Sequence, residues 1–151
     1  MRPQKKKAQT FFSRSPGETK RLGAWLARKL RQGDLVCFCG ELGSGKTTMI
    51  QGLVRSLTGQ RAASPSFVIL HEYDRGKLPV YHFDFYRLGK PDDLETIGWQ
   101  EYLFRGIVLV EWADRYPELL REARFIVTFS GEDRCVRKIS LVEFERLSRI
   151  R

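Results

Sequence analysis

The residues with the clearest chemical content lie in one run, Gly40-Glu41-Leu42-Gly43-Ser44-Gly45-Lys46-Thr47-Thr48. It carries the pattern G-x-x-x-x-G-K-[ST], whose parts match the needs of a nucleoside triphosphate. Glycines permit left-handed turns that aim successive N–H groups at phosphate oxygens, and a helix opening behind them adds its partial positive charge. In such a loop Lys46 reaches the β- and γ-phosphates, the Thr47 hydroxyl meets magnesium, and Thr48 can bond the α-phosphate. A glycine-rich turn that binds nothing has no need of a Lys-Thr pair at that offset.

A phosphate cradle also needs a carboxylate to hold the metal or orient the attacking water, commonly at the end of a strand parallel to the one before the loop. Glu111 fits, because four apolar residues, Ile107 to Val110, place it at the carboxyl end of a buried strand. Asp84 is the second candidate. In HFDFYR, His82, Asp84 and Tyr86 alternate with Phe83, Phe85 and Arg87, so the polar set shares one face, which solvation alone could also explain. Which carboxylate orients water stays open. Ser64-Pro65-Ser66 lies between the loop's helix and this strand, where a switch segment with a hydroxyl able to sense the γ-phosphate or its magnesium belongs.

These groups need a scaffold. Leu22, Trp25, Leu26 and Leu30 fall at helical spacing between Ser15 or Pro16 and Gly33, which predicts a first helix. LVCFC then reads as a buried parallel strand running into the glycine loop, and Ile50, Leu53, Val54 and Leu57 mark one face of a helix from Thr47 to about Leu57. SPSFVILHEYD and LPVYHFDFYRL predict a hairpin around Arg75-Gly76-Lys77. DDLETIGWQEYLF predicts a helix broken at Gly98, leading into IVLVEW, and RFIVTF with CVRKISLVEF predicts a closing hairpin turning at Gly131-Glu132-Asp133. This order implies a three-layer α/β sandwich, a P-loop NTPase fold with a mixed, largely parallel sheet and antiparallel edge hairpins.

The chain's 151 residues suit one domain, read as residues 10–151 behind a disordered basic arm at 1–9 that contains Lys5-Lys6-Lys7. No apolar run approaches a membrane span and no signal sequence is visible, so a cytoplasmic protein is expected. Cys37, Cys39 and Cys135 read as reduced core residues; a Cys-x-Cys metal pair lacks a second pair or nearby histidine. The net charge of +9 admits an acidic partner such as RNA without choosing one.

Taken together, GELGSGKTT, SPSF, HFDFYRL, DDLETIGWQEYL and VLVEW resemble the bacterial TsaE family, formerly YjeE, of P-loop ATPases, from about Pro16 to Phe129. The resemblance implies an ATPase, weak alone, that works with TsaB and TsaD to install the threonylcarbamoyl group on adenosine 37 of tRNAs reading codons that begin with A. In that picture TsaD carries out the transfer, and the nucleotide sits at an interface with the TsaB and TsaD pair. It implies that Glu41 to Thr48 form the nucleotide loop, that Thr47 and Glu111 hold Mg2+, and that Asp84 is a metal-shell or catalytic carboxylate. Trp112 matches a family tryptophan at the nucleotide. Ser64 to Phe67 match the switch segment, with Ser66 where a threonine is usual. A residue near Ser15 to Thr19 is implied to contact adenine. The lysine-rich arm and the basic balance lie outside the family pattern and add a weak or indirect tRNA contact to the expected partners.

Two other classes compete. A small-molecule kinase also pairs a P-loop with a strand-end carboxylate, but needs a lid and acceptor pocket for which little chain is left. A non-catalytic RNA-binding module that only senses ATP draws on the net charge. A GTPase lacks its N-K-x-D or T-K-x-D guanine-reading motif here.

Overall fold

The computed structural model describes residues 3–63, 69–90, 92–131 and 135–147. The expected turn residues Glu132 and Asp133 and the segment Ser64 to Phe67 lie outside the described residues. One seven-stranded sheet runs through the molecule in the order β1-β7-β6-β2-β5-β4-β3. The strands are β1 (Lys5–Ser13), β2 (Leu35–Cys39), β3 (Leu70–Tyr73), β4 (Val80–Asp84), β5 (Ile107–Glu111), β6 (Phe125–Gly131) and β7 (Arg137–Phe144). The β2–β5, β2–β6 and β4–β5 pairs are parallel, while β1–β7, β6–β7 and β3–β4 are antiparallel. This is the mixed α/β sheet with antiparallel edges that the sequence implies.

The central strand β2 is buried on both faces, and its alternation sorts the core into two layers. Val36 and Phe38 join Leu26, Met49, Ile50 and Leu53 on one side. Leu35, Cys37 and Cys39 join Phe83, Phe85, Trp99 and Leu119 on the other. The first layer is covered by α1 (Pro16–Ala27) and α2 (Lys46–Thr58). The second is covered by α3 (Asp92–Ile97), α4 (Trp99–Leu103) and α5 (Pro117–Glu122). Gly98, left-handed at φ 68°, separates α3 from α4 where the break was expected.

Helices α1 and α2 approach backbone to backbone. A Cβ on Gly52 would lie 2.0 Å from the Lys20 carbonyl oxygen, and one on Gly23 would lie 2.1 Å from that of Met49. Only glycine permits this approach, and it fixes the start of α1 relative to the start of α2.

Two expectations are corrected. The arm at 1–9 is not disordered where described: Lys5 to Gln9 belong to β1, which pairs with β7 from Lys5↔Phe144 to Ser13↔Arg137. The composition misleads because pairing with a waiting edge uses backbone groups and asks little of the side chains. Phe11 then anchors the strand against Trp25, their rings 5.4 Å apart. Cys135 is exposed rather than part of the core, whereas Cys37 and Cys39 are buried as expected. Among the described residues no cluster of three or more His, Cys, Asp or Glu could hold a metal ion, and no helix is long and apolar enough to cross a membrane.

Candidate functional site

The glycine loop connects β2 to α2 at the carboxyl end of the parallel strands. Gly40, Gly43 and Gly45 have φ of 146°, 77° and 110°, a region that side-chain-bearing residues rarely enter. Gly45 caps α2, whose first turn has no side-chain cap and no acidic residue, so the amide donors there are left to face an anion. The Ser44 Oγ is buried and has no partner among the described residues. A cradle of this kind fits a phosphate chain: it offers donors, an unmet hydroxyl and a helix amino end in one place.

Lys46 is buried at 5% exposure, with its Nζ donating to the Gly40 carbonyl and, at 3.3 Å, to the Glu41 carbonyl. The same Nζ sits 3.5 Å from the centroid of the Trp112 ring. Burial lowers its pKa, an effect opposed by the nearby carboxylates of Glu111, Asp114 and Asp84. Trp112 reaches this position because its backbone is left-handed at φ 65°, the only such non-glycine residue among those described. Its N–H still donates to the Phe38 carbonyl at 3.2 Å, after which the chain turns through a short 3-10 helix, Ala113–Arg115. Tyr86 packs 4.9 Å from the Trp112 ring, and the Arg115 guanidinium lies over both rings while donating to the Tyr86 carbonyl at 2.8 Å.

The parallel β4–β5 register sets Asp84 beside Glu111. Thr47 Oγ1 donates to Glu111 Oε1 at 3.2 Å, so the first turn of α2 and the end of β5 meet. Glu111 Oε2 is bonded to His82 Nε2 at 2.8 Å. Asp84 is half-buried and accepts from the Tyr86 N–H at 2.9 Å. Its pKa is raised, first by burial and then by the Glu111 charge, against the lowering effect of the Tyr86 N–H, His82 and Lys46. Thr47, Glu111 and Asp84 fit a small hard cation such as magnesium, which takes one or two carboxylates and fills its remaining positions with water and phosphate oxygens rather than an all-protein cage.

A cavity of about 770 Å³ joins these groups, within the usual size of a small-molecule pocket. The loop from Leu42 to Thr48 lines it with Asp84, Glu111 and Trp112, and Ser13 to Pro16 and Thr19 close another part of its wall. Ser15 caps α1 by accepting from the Glu18 N–H at 3.1 Å, and Ser13 and Thr19 share a hydrogen bond of 2.7 Å. The structure thus brings together Leu42, Gly43, Ser44, Gly45, Lys46, Thr47, Thr48, Asp84, Glu111 and Trp112. Glu41 is exposed and outside the cavity wall, giving the site only its carbonyl. Ser66 lies outside the described residues.

Sequence reasoning missed Ser13, Arg14 and Arg137 as lining residues, because it did not foresee the β1–β7 pair that delivers them. It noticed His82 only as part of a polar face that could be solvated. His82 is 1% exposed, and its spacing of two from Asp84 was the available signal that it faces the same carboxylate.

The family model described as threonylcarbamoyl adenosine biosynthesis protein TsaE matches residues 13–139. A Bacillus subtilis protein named tRNA threonylcarbamoyladenosine biosynthesis protein TsaE is 38% identical over 123 residues, covering 79% of this chain and 77% of that one. A Synechocystis protein of the same name is 41% identical over 116 residues, covering 72% and 73%. The crystal structure of Bacillus subtilis YdiB superposes with a TM-score of 0.74 at 31% identity, covering 92% of this chain and 87% of that one. With a family match across most of its length and relatives this similar over most of theirs, the chain belongs to the TsaE family.

Proposed function

We propose that this chain binds ATP with magnesium and hydrolyses it, in the cytoplasm, as the ATPase component of the machinery that makes threonylcarbamoyladenosine at position 37 of tRNAs reading codons that begin with A, acting with TsaB and TsaD. Membership of a family named for threonylcarbamoyl adenosine biosynthesis supports the pathway. The observation that carries the ATPase reading is the 3.2 Å bond between Thr47 of the glycine loop's helix and Glu111 at the end of the neighbouring parallel strand. That contact joins a phosphate cradle to a carboxylate, as triphosphate hydrolysis requires.

The residues divide the work as follows. The amides of the loop from Leu42 to Thr48, with the Ser44 hydroxyl, hold the phosphates. Lys46 exchanges its bonds to the Gly40 and Glu41 carbonyls for phosphate oxygens. Thr47 and Glu111 hold magnesium, which when bound neutralises charge on the β- and γ-phosphates. Asp84 lies beside them to share the metal or to orient the attacking water. Trp112 and the polar group of Ser13, Ser15 and Thr19 shape the remaining wall for the nucleoside. Ser66 serves the switch segment.

The test is ATP turnover by the purified chain, alone and with TsaB and TsaD, followed by threonylcarbamoyl transfer to tRNA. Slow turnover alone that rises with both partners, and modification that requires this chain, is the expected result. Phosphate transfer to a small acceptor in place of water would favour a kinase. Salt-sensitive RNA binding without turnover in the presence of the partners would favour a sensor.

A further inference from the structure

Glu111 is 2% exposed, and each of its two oxygens has its own partner. Oε1 faces Thr47, whereas Oε2 faces His82, which does not line the cavity. A carboxylate oxygen only accepts, so the hydrogen in the 2.8 Å bond belongs to His82 Nε2. The ring is confined: it lies in the middle of β4, its centroid 6.2 Å from that of His71 on the adjacent β3. Its Nδ1 is buried without a partner among the described residues, so Glu111 is the one protein group there that the imidazole serves. An apolar side chain would fill this space without the cost of burying a polar ring, which leaves the carboxylate as the reason for the histidine.

We infer that His82 is a positioning residue for Glu111: by holding Oε2 from behind, it fixes the rotation of the carboxylate so that Oε1 faces Thr47 and the cavity. The inference rests on the proposed reading of Thr47 and Glu111 as the magnesium-holding pair. A glutamate has three side-chain torsions, and packing around its stem does not set the last of them. Partners that orient a metal-binding carboxylate from outside typically change metal affinity or activity about 10–100-fold when removed.

The test combines calorimetry of ADP binding, with and without Mg2+, and long-range nitrogen–proton spectra of the nucleotide-free protein. The chain has two histidines, so a His71→Gln variant assigns both rings. The wild type is expected to show His82 as the Nε2–H tautomer and to bind ADP more tightly with Mg2+. His82→Phe should bind ADP without Mg2+ within about threefold of wild type and lose about tenfold of the Mg2+-dependent gain. His82→Gln, which restores an N–H donor, should recover most of that gain. A gain that survives in His82→Phe, a folded His82→Gln no better than His82→Phe, or a wild-type Nδ1–H tautomer would overturn the positioning role while leaving the ATPase reading standing. Should His82→Phe fail to fold, His82→Gln and the tautomer decide. A wild type whose ADP affinity ignores Mg2+ would overturn the parent reading and the positioning role with it.

Discussion

At the scale of single residues, Lys46 shows the site's logic most directly. Its charge is buried and satisfied by two loop carbonyls and the Trp112 ring, a set of partners that phosphate oxygens can replace. Hydrogen bonds to charged groups are worth about 1.5–3 kcal/mol, so Lys46→Ala should weaken ATP binding by roughly 10–100-fold with little loss of thermal stability. Equilibrium titration beside a melting curve checks both. Asp84 makes an opposite kind of contribution. Its pKa is raised in the folded protein, chiefly by burial, so the native state holds the proton more tightly than the unfolded chain does. Stability therefore falls as pH rises through the interval between the unfolded and folded values, and the deficit persists above it. Asp84→Asn should accordingly melt higher than wild type at neutral pH, with the difference closing in acid, when melting is followed without nucleotide or metal. A residue kept at a cost to stability suits function rather than packing. Lys46, Thr47 and Glu111 were legible in the sequence because their roles follow from a local pattern and a strand end. The Glu111–His82 bond joins positions 29 apart, so the spacing of two between His82 and Asp84 could signal the ring's face but not its partner.

At the scale of elements, the cavity exists because α1 and α2 are held in a fixed relation. The start of α1 contributes Pro16 and Thr19 to the wall, and the start of α2 contributes Lys46, Thr47 and Thr48. Their glycines let the helix backbones touch. Gly52→Ala places a Cβ against the Lys20 carbonyl, where no flexible side chain can give way, so the helices must separate. Overpacking of this kind costs about 1–3 kcal/mol or more, and a fall of several degrees in melting temperature with weakened ATP binding is expected. An unchanged melting curve would show that the helices shift freely. The sequence revealed both helices through their apolar spacing, but not this approach, since a glycine inside a helix looks merely unfavourable until its neighbour is known. It likewise revealed the Gly98 break and missed α5, whose six residues are too few for a period to show.

At the scale of the whole molecule, the sheet is built outward from β2, and its first and last strands, β1 and β7, close one edge of it together. Strand β1 leads directly to Ser13, Arg14 and Ser15 in the cavity wall, so the lysine-bearing start of the chain is part of the site's frame. Removing residues 1–9 should strip the β7 edge of its partner from Lys5 to Gln9 and lower the melting temperature by several degrees; a free arm would leave it unchanged. The parallel centre was legible from its unbroken apolar runs. The β1 edge was not, because backbone pairing leaves a weak trace in composition.

The central claim is that Glu111, joined to Thr47, makes this phosphate cradle an ATPase site, and turnover with TsaB and TsaD present tests it most directly. At saturating ATP and Mg2+, Glu111→Ala should lose roughly 100-fold or more in turnover, the scale of removing one group that stabilises charge in the transition state, while still binding ATP. Wild-type turnover in that variant, or wild-type activity indifferent to the two partners, would contradict the account.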